Sequence, residues 1–236
     1  MNSIIKNEFI TTKKGTLILA NILIIAATAL AYFAITKASK AEVLSESQIM
    51  SMFAQSTINV IPPFIVILIS KAITEEFSNG GMKIYLINPI SRMEVLIGKL
   101  VFICINVLIT IITQIIISII ATSILTQVPQ LGLISDITYK YSVTFIPIVG
   151  LISILFIPGL LINSSRHMTS LGIFIIFGFN ILCSYFTKLN PYSITYILKN
   201  ISDINNHTVN NIIISLVYCL VGILASIYIF KNKEIR

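Results

Sequence analysis

Two histidines, His167 and His207, and three cysteines, Cys104, Cys183 and Cys219, are the side chains of this 236-residue sequence best suited to act as bases, nucleophiles or ligands. Their spacing gives them no joint task. The cysteines are odd in number, lack any CxxC pair and fall inside apolar runs, which fits small buried side chains rather than a disulfide framework or a metal site. There is no HExxH, and the topology derived below sets the two histidines on opposite sides of a membrane, so no Ser-His-Asp set can converge. Gly98-Lys99 resembles the tail of a phosphate-cradling loop, but Met93 stands where the first glycine is needed and Leu100 where Ser or Thr is needed. The chain therefore offers neither enzyme chemistry nor a nucleotide site of its own.

The remaining chemistry is polar groups set among hydrocarbon. Composition is 56% hydrophobic and 11% charged, with a mean hydropathy of +0.95, far from that of soluble domains. A helix needs roughly 20 apolar residues to cross about 30 Å of hydrocarbon. Six charge-free runs of that size are found, at 16–36, 49–70, 100–125, 141–162, 169–187 and 212–230. The expected fold is an all-α polytopic membrane protein, a single transmembrane domain over residues 1–236 with six transmembrane helices. The first run has no small-residue cleavage site and is long enough to span, so it is expected to be retained.

Six spans place both termini on one side, and the basic residues choose that side. With the N-terminus inside, 11 of the 16 Lys and Arg lie in inner segments and 5 in outer ones, so the termini are expected to be cytoplasmic. The net charge of +7 then reflects orientation and anionic lipid, not nucleic acid, for which no basic-aromatic pattern exists. Arg166 and His167, in a short inner turn, read as an orienting charge and a surface histidine. The abundance of Ile, Asn and Lys suggests an AT-rich bacterial genome.

The longest charged interval, EEFSNGGMKIYLINPISRMEVLIGKL from Glu75 to Leu100, sits in the inner connection 71–99. Glu75 and Glu76 continue the second helix into water, and Asn79-Gly80-Gly81 stops it. Met82, Tyr85 and Leu86 fall at i, i+3, i+4, the pattern of a short amphipathic helix also holding Lys83 and Asn88. Pro89 ends it. Ser91 and Glu94 then have capping-box spacing, with Ile90 and Val95 as a hydrophobic staple, so the third helix is expected to begin near Arg92. The segment reads either as a rigid knob projecting into the cytoplasm or as a helix lying on the lipid surface.

Acidic residues, Gly80-Gly81, a short segment reaching Leu86, Pro89-Ile90-Ser91-Arg92 and Gly98-Lys99 together resemble the cytoplasmic coupling loop of the type-two ABC transporter permeases. Ile4-Ile5-Lys6-Asn7-Glu8-Phe9 resembles that family's N-terminal amphipathic helix, expected over residues 1–15, and Leu189-Asn190-Pro191 resembles a family segment between the last two spans. One departure is Met82, where the family often has Thr after Gly.

The resemblance implies a membrane subunit that pairs with a second copy or a sister permease and sits on separate cytoplasmic ATPase subunits. ATP and magnesium would be held by those partners and no cofactor by this chain. It makes Asn79, Gly80, Gly81, Met82, Lys83, Tyr85, Leu86 and Asn88 the ATPase-binding coupling helix, framed by Pro89, Ser91, Arg92 and Glu94. It also implies that the second and fifth spans line the path, which nominates Gln55, Asn59 and Asn180; the other reading is that these side chains simply hydrogen-bond neighbouring helices. Pro62-Pro63 is expected to break the ladder of the second span and kink or unwind it. The outer segment 188–211, with Pro191, Tyr192 and Tyr196, is either a surface loop or, as the family implies, a lid dipping back into the membrane. The spans hold no Asp, Glu, Lys or Arg, which disfavours an ion-coupled carrier and suits an amphipathic or hydrophobic cargo such as a peptide, antimicrobial, lipid or drug; the resemblance implies that this cargo moves outward through a bacterial plasma membrane. The rival readings are such a carrier, or a membrane scaffold or sensor that transports nothing.

Overall fold

The computed structural model describes residues 46–82, 91–126, 134–200 and 208–233, together with the helical residues Ile22, Ile25, Ala26, Ala29, Leu30 and Phe33. The N-terminal amphipathic segment, most of the first expected span and residues 83–90 lie outside the described residues.

Everything described is helical or connects helices. Helix α1 (Glu46–Ile69) runs into a π-helical stretch (Ser70–Glu75) and a last α turn (Glu76–Ser78). It is followed by α2 (Arg92–Thr126), α3 (Ile134–Leu161), α4 (Ser165–Tyr185), a 3₁₀ segment (Thr187–Tyr192), the short α5 (Ile194–Asn200) and α6 (Thr208–Asn232). Five of these helices are long and apolar enough to cross a membrane. At most of their ends they overrun the apolar runs that announce them, because a helix stops where its backbone bonds are capped and not where hydrocarbon ends. Lys71, Glu75, Glu76 and Lys99 therefore all sit in helical segments.

Pro62 and Pro63 do not interrupt α1, which stays α-helical through both. Around them Ile61, Phe64, Ile65 and Val66 are buried, and this packing holds the helix across the missing N–H groups. Departure from α geometry comes a few residues later, in the wider turn at Ser70–Glu75.

Without water between helices, association depends on close packing and on hydrogen bonds. The most extensive contact joins α3 to α6. It uses small residues: a Cβ added at Gly222 would stand 2.6 Å from the backbone carbon of Ser153, and one at Gly150 would stand 2.9 Å from the Ser215 carbonyl oxygen. α1 meets α4 in the same manner, with Gly172 against Val66, where a Cβ would come within 2.6 Å of Cγ1. α5 tucks into the bundle against α1, α3, α4 and α6. Its Ile197 and Leu198 are buried, and Ser193, just before it, is fully buried and pairs with the Thr195 hydroxyl at 2.9 Å. The Tyr218 hydroxyl of α6 ties the segment down by donating to the Tyr192 carbonyl at 2.7 Å.

The outward faces are the reverse. Phe174 and Tyr185 of α4 and Leu220 and Tyr228 of α6 are all more than 60% exposed, as apolar side chains facing lipid are.

Replacing Gly222 by Val should force α3 and α6 apart and lower stability by about 1–3 kcal/mol, the usual cost of overpacking a tight contact. Gly178→Ala, where an added Cβ meets nothing closer than 4.0 Å, is the control. Unfolding midpoints of both variants in detergent micelles test this: Gly222→Val should fall well below the parent and Gly178→Ala should match or exceed it.

Candidate functional site

Most of the described charged residues lie at one end of the bundle, around the two roots of the connection between α1 and α2. The entry root is a helix stop. The Ser78 hydroxyl donates back to the Glu75 carbonyl at 2.8 Å, Asn79 is the C-cap, and Gly80 adopts φ 71°, the left-handed conformation that ends helices and that side chains resist. Helical geometry resumes at Gly81–Met82, and the Met82 side chain turns inward, 1% exposed, into a niche lined by Ile73, Val95, Leu96, Phe156, Leu160 and Phe230. The buried thioether forms one wall of this niche and anchors the start of the connection to the bundle.

The exit root is a reciprocal cap. The Ser91 N–H donates to Glu94 Oε2 and the Glu94 N–H donates to Ser91 Oγ, each at 3.2 Å. Two of the unpaired donors at the helix start are thereby satisfied, and α2 starts at Arg92. Lys83, Tyr85, Leu86, Asn88 and Pro89, all expected in the coupling helix or its boundary, lie outside the described residues.

About two turns into α2, Lys99 joins the roots. It is 1% exposed, and its ammonium donates to Glu76 Oε2 at 2.6 Å and to the Ala72 carbonyl at 2.8 Å. An ammonium buried among Ile73, Leu96, Phe156 and Phe230 is tolerable only because a carboxylate and a backbone carbonyl share its protons. Both acceptors come from the π-helical stretch or the turn just after it, so Lys99 fixes that irregular turn to α2. Two further bonds pin the same stretch to other helices. Thr74 Oγ1 donates to the Gly159 carbonyl of α3 at 3.1 Å, and Ser70 Oγ donates to the Ser165 carbonyl of α4 at 2.8 Å.

The end of α6 belongs to this cluster. The Arg92 guanidinium donates to the carbonyls of Phe230, Lys231 and Lys233 at 3.4, 3.0 and 3.2 Å, serving the oxygens a helix leaves unpaired at its C-terminus. Lys233 donates to the Leu160 carbonyl and, at 3.1 Å, to Asn163 Oδ1, while its ammonium lies 4.0 Å from the centre of the Phe77 ring. Partial burial lowers the Lys233 pKa from the ordinary lysine value. Phe77 also packs edge-on against Phe230, ring centres 6.1 Å apart.

The three polar residues nominated in the spans lie elsewhere. Gln55 and Asn59 share one face of α1 and are exposed on the outside of the bundle. Asn180 is half-buried and donates to the Ile176 carbonyl of its own helix at 3.0 Å. Val66 meets Gly172 where α1 and α4 pack; two helical turns further along each helix come Asn59 and Asn180, which therefore stand at the same level of the membrane.

Reading the apolar runs alone overlooks a buried polar row on α2, formed by Asn106, Thr110, Gln114 and Ser118 at every fourth residue. Asn106, Thr110 and Ser118 bond to carbonyls of α2 itself, whereas the amide nitrogen of Gln114 has no partner among the described residues. The four-residue period was available as a signal for this row. For Lys99 the sequence carried a weaker one, a charge followed at once by an apolar run.

Large apolar faces turned outward on membrane-length helices have their natural solvent in lipid, and the chain is accordingly a multi-pass membrane protein. Comparison with known families narrows the class: residues 4–182, about three quarters of the chain, match the family described as ABC-2 family transporter protein. The chain belongs to that family and is a membrane permease of the transport machinery. A search of curated proteins finds no match to it.

The ion pair makes an asymmetric prediction. Glu76→Gln strips the counter-charge from a buried ammonium and should cost about 3–5 kcal/mol, the penalty for an uncompensated buried charge. Lys99→Met leaves Glu76, 21% exposed, able to turn to water, and should cost about 2 kcal/mol or less. Chemical unfolding of the two single variants and the double variant checks this; equal losses in the singles would contradict the assigned burial.

Proposed function

We propose that this chain is the transmembrane subunit of an ATP-driven exporter, inactive alone, that pairs with a second copy or a sister permease and binds a separately encoded cytoplasmic ATPase. Family membership supports the transport role. Orientation rests on the basic residues, 11 of 16 on the side that holds both termini, which makes the charged end of the bundle cytoplasmic in a bacterial plasma membrane. The chain has no phosphate-binding loop, so ATP and magnesium belong to the partner.

The observation that carries the coupling role is the construction of the two roots. A connection that were only slack chain would need neither a left-handed glycine stop and an inward methionine anchor on one side nor a reciprocal cap on the other, with a buried ion pair between them. Residues 79–88 then form a stiff projection that fits a cleft in the ATPase, with Tyr85 and Leu86 on its docking face. Closure of the ATPase pair on ATP pushes the projection, and the π-helical turn below it, a feature common at functional positions, yields as α1 and α2 tilt. The path runs along the exposed α1 face bearing Gln55 and Asn59 and past Asn180, between paired permeases. Its uncharged lining suits an amphipathic or hydrophobic cargo such as a peptide, antimicrobial, lipid or drug.

A pull-down from detergent-solubilised native membranes tests the reading. A P-loop ATPase should be retained in comparable amount and lost with the paired substitution Tyr85→Asp and Leu86→Asp, while membrane insertion is unchanged. A chain that purifies alone, with no associated ATP hydrolysis, points instead to a carrier or scaffold.

A further inference from the structure

The roots of the α1 to α2 connection are fastened to one and the same element, the C-terminal turn of the last helix. On the entry side, Phe77 is held between the Phe230 ring, 6.1 Å away edge-on, and the Lys233 ammonium, 4.0 Å from its centre. On the exit side, Arg92 holds the carbonyls of Phe230, Lys231 and Lys233. These two residues lie in the last turn before the helix stop and at the first position of α2. The connection thus stands on residues 230–233 as on a base. Lys233 ties that base in turn to the end of α3, through the Leu160 carbonyl and Asn163 Oδ1.

Resting on the permease reading above, we propose that residues 230–233, gripped by Phe77 and Arg92, form a third lever of the coupling apparatus, delivering the movement of the connection to α6 and, through it, to α3. Phe230, Arg92 and Lys233 are then positioning residues: they touch neither cargo nor nucleotide but set which helices respond. Transmission onward follows from packing. α6 and α3 approach so closely at Gly222 and Ser153 that neither can shift alone, since a contact with no room for a Cβ has no slack. Such a contact passes displacement on as a rigid unit. A push on the connection therefore reaches four membrane helices instead of two.

The surroundings favour a load-bearing role over an incidental one. A lone exposed arginine on a helix end adds little, but Arg92 reaches three carbonyls within one terminal turn and leads the helix whose cap it adjoins. Lys233 is tethered by two oxygens at the end of α3 and by a ring in the last turn before the connection.

Two arms test the proposal with the full chain. In the first, the chain is placed in liposomes without any ATPase and amide hydrogen exchange is followed over the roots, 76–82 with 91–96, as one segment and over the base, 226–233, as the other. Arg92→Gln combined with Lys233→Met should speed exchange in both segments together, by about tenfold, as a local opening unit loses its ties. Arg92→Lys with Lys233→Arg should restore most of the protection. Faster exchange in one segment with the other unchanged, or no change in either, overturns the bracket.

In the second arm the permease is reconstituted with its ATPase. The Arg92→Gln/Lys233→Met variant should keep the ATPase bound and ATP hydrolysis running while cargo moved per ATP falls by about fivefold or more. Unaltered cargo per ATP overturns the lever. If the parent chain retains no ATPase, it is the permease reading that fails, and the exchange arm still decides whether the two roots share their base.

Discussion

Inside a bilayer no water waits to satisfy a stray polar group, and the whole bundle is shaped by that condition. Hydroxyls and amides in the spans turn mostly to carbonyls of their own helices: Thr110 to Asn106, Ser118 to Ile115, Asn180 to Ile176, Ser215 to Asn211. With polar groups thus silenced locally, helices have little to hold one another by except shape. Small residues do this work at Gly150, Ser153, Gly172 and Gly222, where backbones come near enough to gain dispersion contacts that lipid tails would otherwise supply.

The same condition explains why charge is concentrated at one end. Lys99, Glu76, Arg92 and Lys233 lie where helices emerge: Lys99 and Glu76 meet each other, Arg92 meets helix-terminal carbonyls, and Lys233 meets oxygens and an aromatic face. These are long-range ties between segments distant in sequence, and they make a firm platform out of helix ends that would ordinarily fray. The irregular turn at Ser70–Glu75 lies inside the platform, bonded to three neighbouring helices.

Much of the architecture was legible beforehand because its determinants are local. Charge-free runs of the right length mark membrane helices, and the second to sixth of those expected coincide with the five long helices described. Gly80 declares a helix stop, and Ser91 with Glu94 declares a cap, since both depend on residues within one turn. Less legible were the helix ends, which overran the apolar runs, and the effect of Pro62-Pro63, where surrounding packing kept the helix intact. The inward turn of Met82 was hidden too: its i, i+3, i+4 relation to Tyr85 and Leu86 says that they share a face but not what that face meets.

The sequence by itself determined that this is a helical membrane protein, how many apolar runs it has, where its basic residues accumulate and where the charged connection starts and stops. Each of these rests on hydrocarbon thickness, charge cost or one turn of hydrogen bonds, all of which are read within a short window. Only the tertiary structure decided that Lys99 finds Glu76 across 23 residues and that Arg92 finds the end of the last helix across 139. A basic residue at a membrane edge looks the same in sequence whether it meets lipid phosphate, water or a helix terminus. Which of these it meets depends on which helices the close-packed glycines bring side by side.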